Sequence, residues 1–152
     1  MVWKRARRPE QIEQRRADIL GAAADLFEAK GIESVSLTAI ACRAKISKAN
    51  VYRYFESREA IYLEILRAEV ELWVTELERI LAPLAGSDDV HAFVTALVDE
   101  SVSRPKMLAL MAALPSVLER NVSGEVIREF KRSILGFAFR INNASNVALP
   151  SV

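Results

Sequence analysis

Apolar residues recur at helical spacing along almost the whole chain, and this pattern restricts the possible fold more than any other feature. The clearest run is Ile127, Phe130, Ile134, Phe137 and Ile141, spaced 3, 4, 3 and 4 residues apart, which places them on one face of a helix. No segment alternates between apolar and polar residues as a half-buried strand does. The sequence therefore predicts an all-α protein. In its later part, Ser57 and Ser87 are predicted to cap helices that begin at residues 58 and 88, and the last helix is predicted to end near residue 142.

The distribution of charge divides the chain into two parts. Residues 1–60 carry 12 Lys and Arg against 8 Asp and Glu, whereas residues 61–152 carry 9 against 12. A basic front and an acidic rear indicate two different roles. Together with the helix breaks, this predicts one domain over residues 1–57 and a second over residues 58–152.

Residues 36–55 have the pattern of two short helices joined by a tight turn. Ser36 and Ser47 are good N-caps, and the second segment would bury Val51 and Phe55. Two short helices in this arrangement can place the second one in the major groove of DNA. The segment therefore predicts a helix-turn-helix whose second helix is the recognition helix.

The outward side chains of that second helix suit a nucleic acid. Asn50 can form a bidentate pair with adenine and Arg53 with guanine, while Lys48 and Tyr52 can bond phosphate groups. Between residues 43 and 58 there are five cations, namely Arg43, Lys45, Lys48, Arg53 and Arg58. The alternative, an ordinary solvated helix face, is not excluded by charge alone.

Residues 11–66 resemble the N-terminal domain of the TetR family of repressors. The matching segments are residues 19–27 (ILGAAADLF) with Lys30 and Gly31 after them, residues 36–41 (SLTAIA), residues 47–55 (SKANVYRYF) and residues 57–61 (SREAI). In that family these segments belong to the first helix, the second helix, the recognition helix and the start of the fourth helix. The resemblance implies a three-helix DNA-binding domain followed by a helical domain for ligand binding and dimerisation.

The resemblance also implies roles for individual residues. Tyr52 would bond a backbone phosphate, Ala49 would permit close approach or touch a thymine methyl group, and Arg58 would pair with a phosphate where the family usually has Lys. Ser36 and Thr38 would open the helix that crosses the DNA backbone. The complete predicted DNA interface is Ser36, Thr38, Lys45, Ser47, Lys48, Ala49, Asn50, Tyr52, Arg53 and Arg58.

Lys45 departs from the family pattern, which usually has glycine in this turn. Glycine accepts a positive φ without cost and lysine does not, so either the turn adapts at about 1 kcal/mol of strain or Lys45 adds a phosphate contact. Before the first helix, Arg5, Arg7 and Arg8 could reach the DNA as an arm or form only a basic tail.

For the rear half, the resemblance implies a homodimer that binds a palindromic operator in double-stranded DNA and is released by a small effector. The apolar helices favour an apolar effector, and Phe93, Met107, Met111, Phe130 and Phe137 could line its pocket. A plain hydrophobic core is the alternative, because such stripes usually pack internally. Family members commonly add two further helices that form a dimer bundle; this sequence ends at Val152, so that interface is left open.

The sequence contains no motif for catalysis, metal binding or membrane insertion. One His and one Cys cannot form a metal cluster, no glycine loop or nucleophile elbow is present, and no apolar run is long enough to span a bilayer. We therefore expect no enzyme activity and no cofactor. The lone Cys42, predicted to pack as a small apolar residue, fits a reducing compartment such as the cytoplasm.

The preferred prediction is a DNA-binding transcriptional regulator of the repressor type. One rival is a helical module that binds a protein partner without specific DNA binding. A second rival is a small helical enzyme or lipid carrier.

Overall fold

A computed structural model describes residues 9–118 and 122–151, and all regular structure within these ranges is helical. The α-helices are α1 (Pro9–Lys30), α2 (Leu37–Arg43), α3 (Lys48–Val51), α4 (Arg58–Leu81), α5 (Val90–Val102), α6 (Pro105–Leu118) and α7 (Gly124–Ala148). The prediction of an all-α fold is confirmed. Arg5, Arg7 and Arg8, which were predicted as a possible DNA-binding arm, lie outside the described residues.

The chain forms two compact units, and the boundary between them lies within α4, after Tyr62. The core of the first unit is built on α1, whose Ile19 and Ala23 are fully buried, together with Ile40 of α2 and Val51 of α3. The ring of Phe27 meets that of Tyr62 edge to face, with 6.2 Å between the centroids, an arrangement favoured by the ring quadrupoles. The buried side chains thus form one core shared by α1, α2 and α3, and the ring contact joins α1 to the start of α4.

Serine side chains begin several of the helices, as the sequence predicted. The hydroxyl of Ser36 accepts a bond from the Ala39 amide at 3.1 Å, and Ser57 accepts one from the Ala60 amide at 3.0 Å at the start of α4. Each satisfies an amide that the first turn of a helix otherwise leaves without a partner. The boundaries of α2 and α4 therefore follow from local sequence.

The second unit, from Leu63 onwards, has a core contributed by α4, α6 and α7. Its buried apolar side chains include Val70, Val74, Leu77, Leu81, Met107, Leu110, Val117, Phe130 and Phe137. The predicted stripe of α7 faces inward, with both phenylalanines buried and its three isoleucines half-buried. An ion pair between Lys106 and Glu69, with Nζ and Oε1 2.7 Å apart, links α6 to α4.

In the second unit, two helix boundaries differ from the sequence prediction, namely the start of α5 and the end of α7. Helix α5 starts at Val90 and is capped by Asp89, whose Oδ1 accepts from the Ala92 amide at 2.9 Å, whereas the prediction began at residue 88 with Ser87 as the cap. Helix α7 continues to Ala148, whereas the prediction ended it near residue 142. The Asn and Ser residues of this last stretch have low helix propensity. However, Ala148 is fully buried, and its carbonyl accepts a hydrogen bond from the Asp88 amide at 3.2 Å. Tertiary contacts therefore outweigh weak helix propensity here.

One face of α5 presents apolar side chains to solvent. Val90, Val94, Val98 and Val102 follow one another at intervals of four residues and are 46 to 66% exposed. Among the described residues, no helix combines the length and the apolar character needed to cross a membrane.

Candidate nucleic-acid interface

The turn between α2 and α3 is a Schellman motif, a defined way of ending a helix. The amide of Ile46 donates to the carbonyl of Ala41 at 3.0 Å, and the amide of Lys45 donates to that of Cys42 at 3.1 Å. In this motif one residue adopts a left-handed conformation, and here it is Lys45, with φ of 56°. The turn that usually requires glycine is thus formed by lysine in the strained conformation.

Helix α3 is only one turn long, since it covers Lys48–Val51 and the chain then continues in tight turns to Tyr54. The prediction extended it to about Phe55. The Ser47 hydroxyl caps its start by accepting from the Asn50 amide at 3.2 Å. Val51 and Phe55 are buried, at 0 and 4% exposure, as predicted. The two buried side chains fix which side of the segment faces solvent.

The surface that this segment presents to solvent contains most of the predicted DNA-binding residues. Ser36, Thr38, Lys45, Ser47, Lys48, Ala49, Tyr52 and Arg53 are exposed, and Asn50 and Arg58 are half-buried. Tyr52 is 53% exposed, and its ring has the Lys48 ammonium 5.9 Å from its centroid. The fold therefore gathers nine of these residues, all except Arg58, along the two short helices and the turn between them. We refer to these nine residues as the basic face.

The cations of the basic face have no acidic partner in the described part of the chain. Lys45, Lys48 and Arg53 form none of the ion pairs found there. An exposed cation without an acidic partner is available to a phosphate group. The basic face thus combines positive charge, hydroxyl groups and an exposed phenol on one side of a rigid segment.

Arg58 lies differently from the other predicted residues. Its Nη1 donates to the carbonyl oxygens of Val35 at 2.9 Å and Ile32 at 3.4 Å, and its Nε and Nη2 donate to Glu59 at 3.2 and 2.8 Å. Glu59 is buried, at 7% exposure. The guanidinium therefore faces the protein and connects the start of α4 to the loop before α2.

Two features of this unit were not anticipated from the sequence. Arg43 of α2 pairs with Asp25 of α1, with Nη2 and Oδ2 2.7 Å apart. The two residues are 18 positions apart in the sequence, so no local pattern indicates the contact. Cys42 was predicted to pack internally, but it is exposed. The prediction was wrong because the buried side of α2 is formed by Leu37, Ile40 and Ala41, which leaves the next residue facing solvent.

The five residues predicted to line an effector pocket differ in burial. Met107, Phe130 and Phe137 are buried and Phe93 is half-buried, whereas Met111 is 48% exposed. Within the described residues, no group of histidine, cysteine or acidic side chains is arranged to hold a metal ion.

A shallow groove of about 280 Å³ lies elsewhere in the second unit, between the end of α4 and the end of α7. It is lined by Glu78, Leu81, Ala82, Arg140, Asn143, Ala144 and Val147. Arg140 donates to Glu78 at 2.9 and 2.6 Å and to Glu71 at 2.5 Å. These bonds raise the pKa of Arg140 above its ordinary value and lower that of Glu78. None of the five predicted pocket residues lines this groove.

Comparison with known proteins gives matches along most of the chain. Residues 19–65 match the family model described as bacterial regulatory proteins of the tetR family. Residues 67–152 match a second model, described as the tetracyclin repressor-like C-terminal domain. The two matches adjoin each other and follow the order expected for one regulator.

Individual proteins agree with these family matches. The transcriptional regulator RutR of Escherichia coli K12 is 35% identical over 83 residues, which are 53% of this chain and 39% of RutR; the chain thus matches about two fifths of that relative. A TetR-family regulator of Mesorhizobium loti superposes with a TM-score of 0.65 at 18% identity, covering 91% of this chain and 67% of that one. A TetR/AcrR regulator of Thermobifida fusca superposes with a TM-score of 0.61 at 24% sequence identity, covering 91% of this chain and 72% of that one. These two structures establish likeness of fold.

Proposed function

This chain belongs to the TetR family of bacterial regulatory proteins, and we propose that it binds double-stranded DNA through the basic face. The observation that carries the proposal is the arrangement of α2, the Schellman turn and α3. Val51 and Phe55 are buried on one side, while Lys48, Tyr52 and Arg53 are exposed on the other. A second helix presented in this way can enter the major groove.

The residues of the basic face divide into those that position the protein and those that read the sequence. Lys45, Lys48 and Tyr52 have the chemistry to contact phosphates, which fixes register without reading bases. Asn50 and Arg53 have the side chains that pair with adenine and guanine in the major groove. Ala49 is small enough to approach a thymine methyl group.

The serines and Arg58 need a separate assignment. Ser36 and Ser47 accept bonds from helix amides, which leaves each hydroxyl hydrogen free to donate to a phosphate, and Thr38 is exposed beside Ser36. Arg58 would have to give up its bonds to Val35 and Ile32 to reach DNA. We therefore assign Arg58 to holding the loop before α2 rather than to the phosphate contact that the family resemblance implied.

We propose that the protein works as a homodimer on a palindromic operator, in which two recognition helices occupy successive major grooves. Residues 1–57 would bind the DNA, and residues 58–152 would associate and respond to a small apolar effector that favours a form unable to span both half-sites. Repression relieved by the effector is the mode that the family suggests. Such a regulator carries out no chemical step, and it would act in the cytoplasm, where the chromosome is.

A helical module that binds a protein partner is the alternative, and the exposed valines of α5 give it some support. Salt dependence separates the two functions. Binding through phosphates weakens steeply as salt rises because counterions are released, whereas binding through an apolar face does not.

The deciding experiment is selection from a pool of random DNA duplexes at low and at physiological salt. The wild-type chain, the Tyr52→Phe and Lys48→Ala variants, and a control variant Lys131→Ala would be compared. Lys131 is exposed on α7, so its substitution removes the same charge far along the chain from the basic face. We expect the wild type and the control to enrich a palindrome, and the two basic-face variants, each of which lacks one phosphate contact, to bind that palindrome more weakly and enrich it less. A wild type that enriches nothing, or basic-face variants that enrich as well as it does, would contradict the proposal.

A further inference from the structure

A recognition helix of one turn cannot maintain its own orientation. An isolated helix is marginal in water below about 12 residues, and α3 contains four. Its direction must therefore come from contacts at its two ends and from its buried side chains. Ser47 holds the first end through the bond to the Asn50 amide, and Val51 anchors the middle.

Arg16 of α1 holds the second end. Its Nη1 donates to the carbonyl oxygen of Tyr54 at 3.0 Å across 38 residues of sequence, and its guanidinium carbon lies 4.6 Å from the centroid of the Phe55 ring. The one guanidinium group thus makes both a hydrogen bond and a cation–π contact. Both contacts are to residues that lie three and four positions after the last residue of α3.

The position of Arg16 suits this role for two physical reasons. Val51, the last residue of α3, is followed by tight turns to Tyr54, and the bond from Arg16 to the Tyr54 carbonyl fixes the position at which those turns end. In addition, Arg16 is half-buried one turn before Ile19, which is fully buried in the core. The contact therefore ties the end of the recognition segment to the most firmly packed part of α1.

We propose that Arg16 is a positioning residue for DNA reading, which sets the angle of α3 without itself contacting a base. This proposal rests on the DNA-binding function proposed above. Loss of Arg16 would leave the phosphate-binding side chains of the basic face in place but let α3 vary in direction. Discrimination between sequences would then fall more than overall affinity, because base contacts depend on geometry more strongly than phosphate contacts do.

Arg15 provides a matched control. It is adjacent in sequence and carries the same charge, but it is exposed and pairs with Asp18 of its own helix at 3.4 Å. The variants are Arg16→Gln, Arg16→Lys and Arg15→Gln. Each would be measured against the duplex that the wild type selects and a scrambled duplex, over a series of salt concentrations. In a second measurement, amide hydrogen exchange would be followed at Tyr54 and Phe55, whose amides donate to Val51.

We expect Arg16→Gln to reduce the ratio of specific to non-specific affinity on the order of tenfold, the effect of one poorly matched base pair, and to speed exchange at Tyr54 and Phe55. Arg16→Lys should fall between this variant and the wild type, because an ammonium cannot make both contacts with one planar group. Arg15→Gln should keep the wild-type ratio and exchange rates.

The two measurements distinguish the ways in which the inference can fail. Unchanged exchange at Tyr54 and Phe55 in Arg16→Gln would overturn the positioning role without any reference to DNA. Faster exchange with an unchanged affinity ratio would show a purely structural contact and would also overturn it. A wild type that prefers no duplex would instead refute the DNA-binding function, and the role in reading with it.

Discussion

The guanidinium of Arg58, at the first position of α4, donates a hydrogen bond of 2.9 Å to the carbonyl oxygen of Val35, 23 residues earlier in the chain. Val35 is buried, at 1% exposure, and it immediately precedes the capping serine of α2. The start of the long helix and the start of the helix-turn-helix are thus joined by one side chain.

Replacing Arg58 with Gln should destabilise the protein and leave the salt dependence of DNA binding unchanged. The substitution leaves the Val35 carbonyl and the buried Glu59 without their donor, which should cost about 2 kcal/mol. Urea unfolding would measure this loss. For Arg58→Gln, the slope of the logarithm of DNA affinity against the logarithm of salt concentration should equal that of the wild type. For Lys48→Ala, the magnitude of this slope should fall by about 1. A smaller slope without a loss of stability would mean that Arg58 contacts phosphate in the complex.

Replacing Lys45 with Gly should make the isolated protein more stable. Lys45 has φ of 56°, where glycine avoids a clash of the Cβ atom, so the gain should be about 0.5–1 kcal/mol after the greater entropy of unfolded glycine is counted. Ala44→Gly, next in the chain at φ of −76°, should destabilise it instead. If Lys45 also contacts phosphate, the glycine variant will gain stability, and the magnitude of its slope of log DNA affinity against log salt concentration will fall by about 1. A glycine variant that is less stable than the wild type would rule out strain at this turn.

Substitutions of Ser47 should separate capping of α3 from contact with DNA. Ser47→Ala removes the acceptor for the Asn50 amide and should cost about 1 kcal/mol of unfolding free energy. Ser47→Asp retains an acceptor and should keep nearly the full stability, but its charge would face the phosphates and weaken DNA binding. Thermal unfolding and duplex affinity would be measured for both variants. An Asp variant with wild-type affinity would show that Ser47 lies away from the DNA.

The Arg140 network predicts a pH-dependent contribution to the stability of the second unit. The Arg140 hydrogen bond lowers the pKa of Glu78 below its usual 4.5, so the ionised form is favoured in the folded state. The stabilisation is therefore complete above pH 4.5 and disappears as the pH falls through the lowered value. At neutral pH, Arg140→Gln should lower the free energy of unfolding by about 0.5–1 kcal/mol, a small loss because the partners are partly exposed. The difference in unfolding free energy between this variant and the wild type should shrink in acid.

Arg132→Gln serves as the control for that measurement, because Arg132 is exposed on the same helix, α7, and forms none of the ion pairs found among the described residues. Urea unfolding of both variants between neutral pH and pH 3 would test the prediction. A deficit for Arg140→Gln that stays constant with pH would mean that packing of the side chain, and not its ion pairs, accounts for the loss.

Much of the fold could be predicted because its determinants are local. Ser36, Ser47 and Ser57 cap the helices that they precede, and apolar spacing identifies the buried side of α7. Lysine at a turn position where the family usually has glycine also indicated a strained turn, and Lys45 has the positive φ that such a turn requires. In each case, the residues that decide the structure lie within a few positions of one another.

Contacts between distant residues could not be predicted in the same way. Nothing near Arg16 indicates that it bonds Tyr54, and nothing near Asp25 indicates Arg43. The sequence equally gave no reason to extend α7, because the bonds from the loop at residues 86–88 to its last carbonyls form only in the folded chain. Such contacts depend on how the helices pack, which local propensity does not encode.

The single-turn length of α3 has a consequence for how DNA specificity can change during evolution. Its structural requirements are met by Ser47 before it, by Val51 within it, and by Tyr54 and Phe55 after it. The side chains proposed to approach the bases include Ala49 and Arg53, which are exposed, so mutations at these two positions carry little risk to folding. The residues that hold the segment in place can therefore stay unchanged while exposed positions are substituted. New operator preferences can arise in this way by single substitutions, without compensating changes elsewhere.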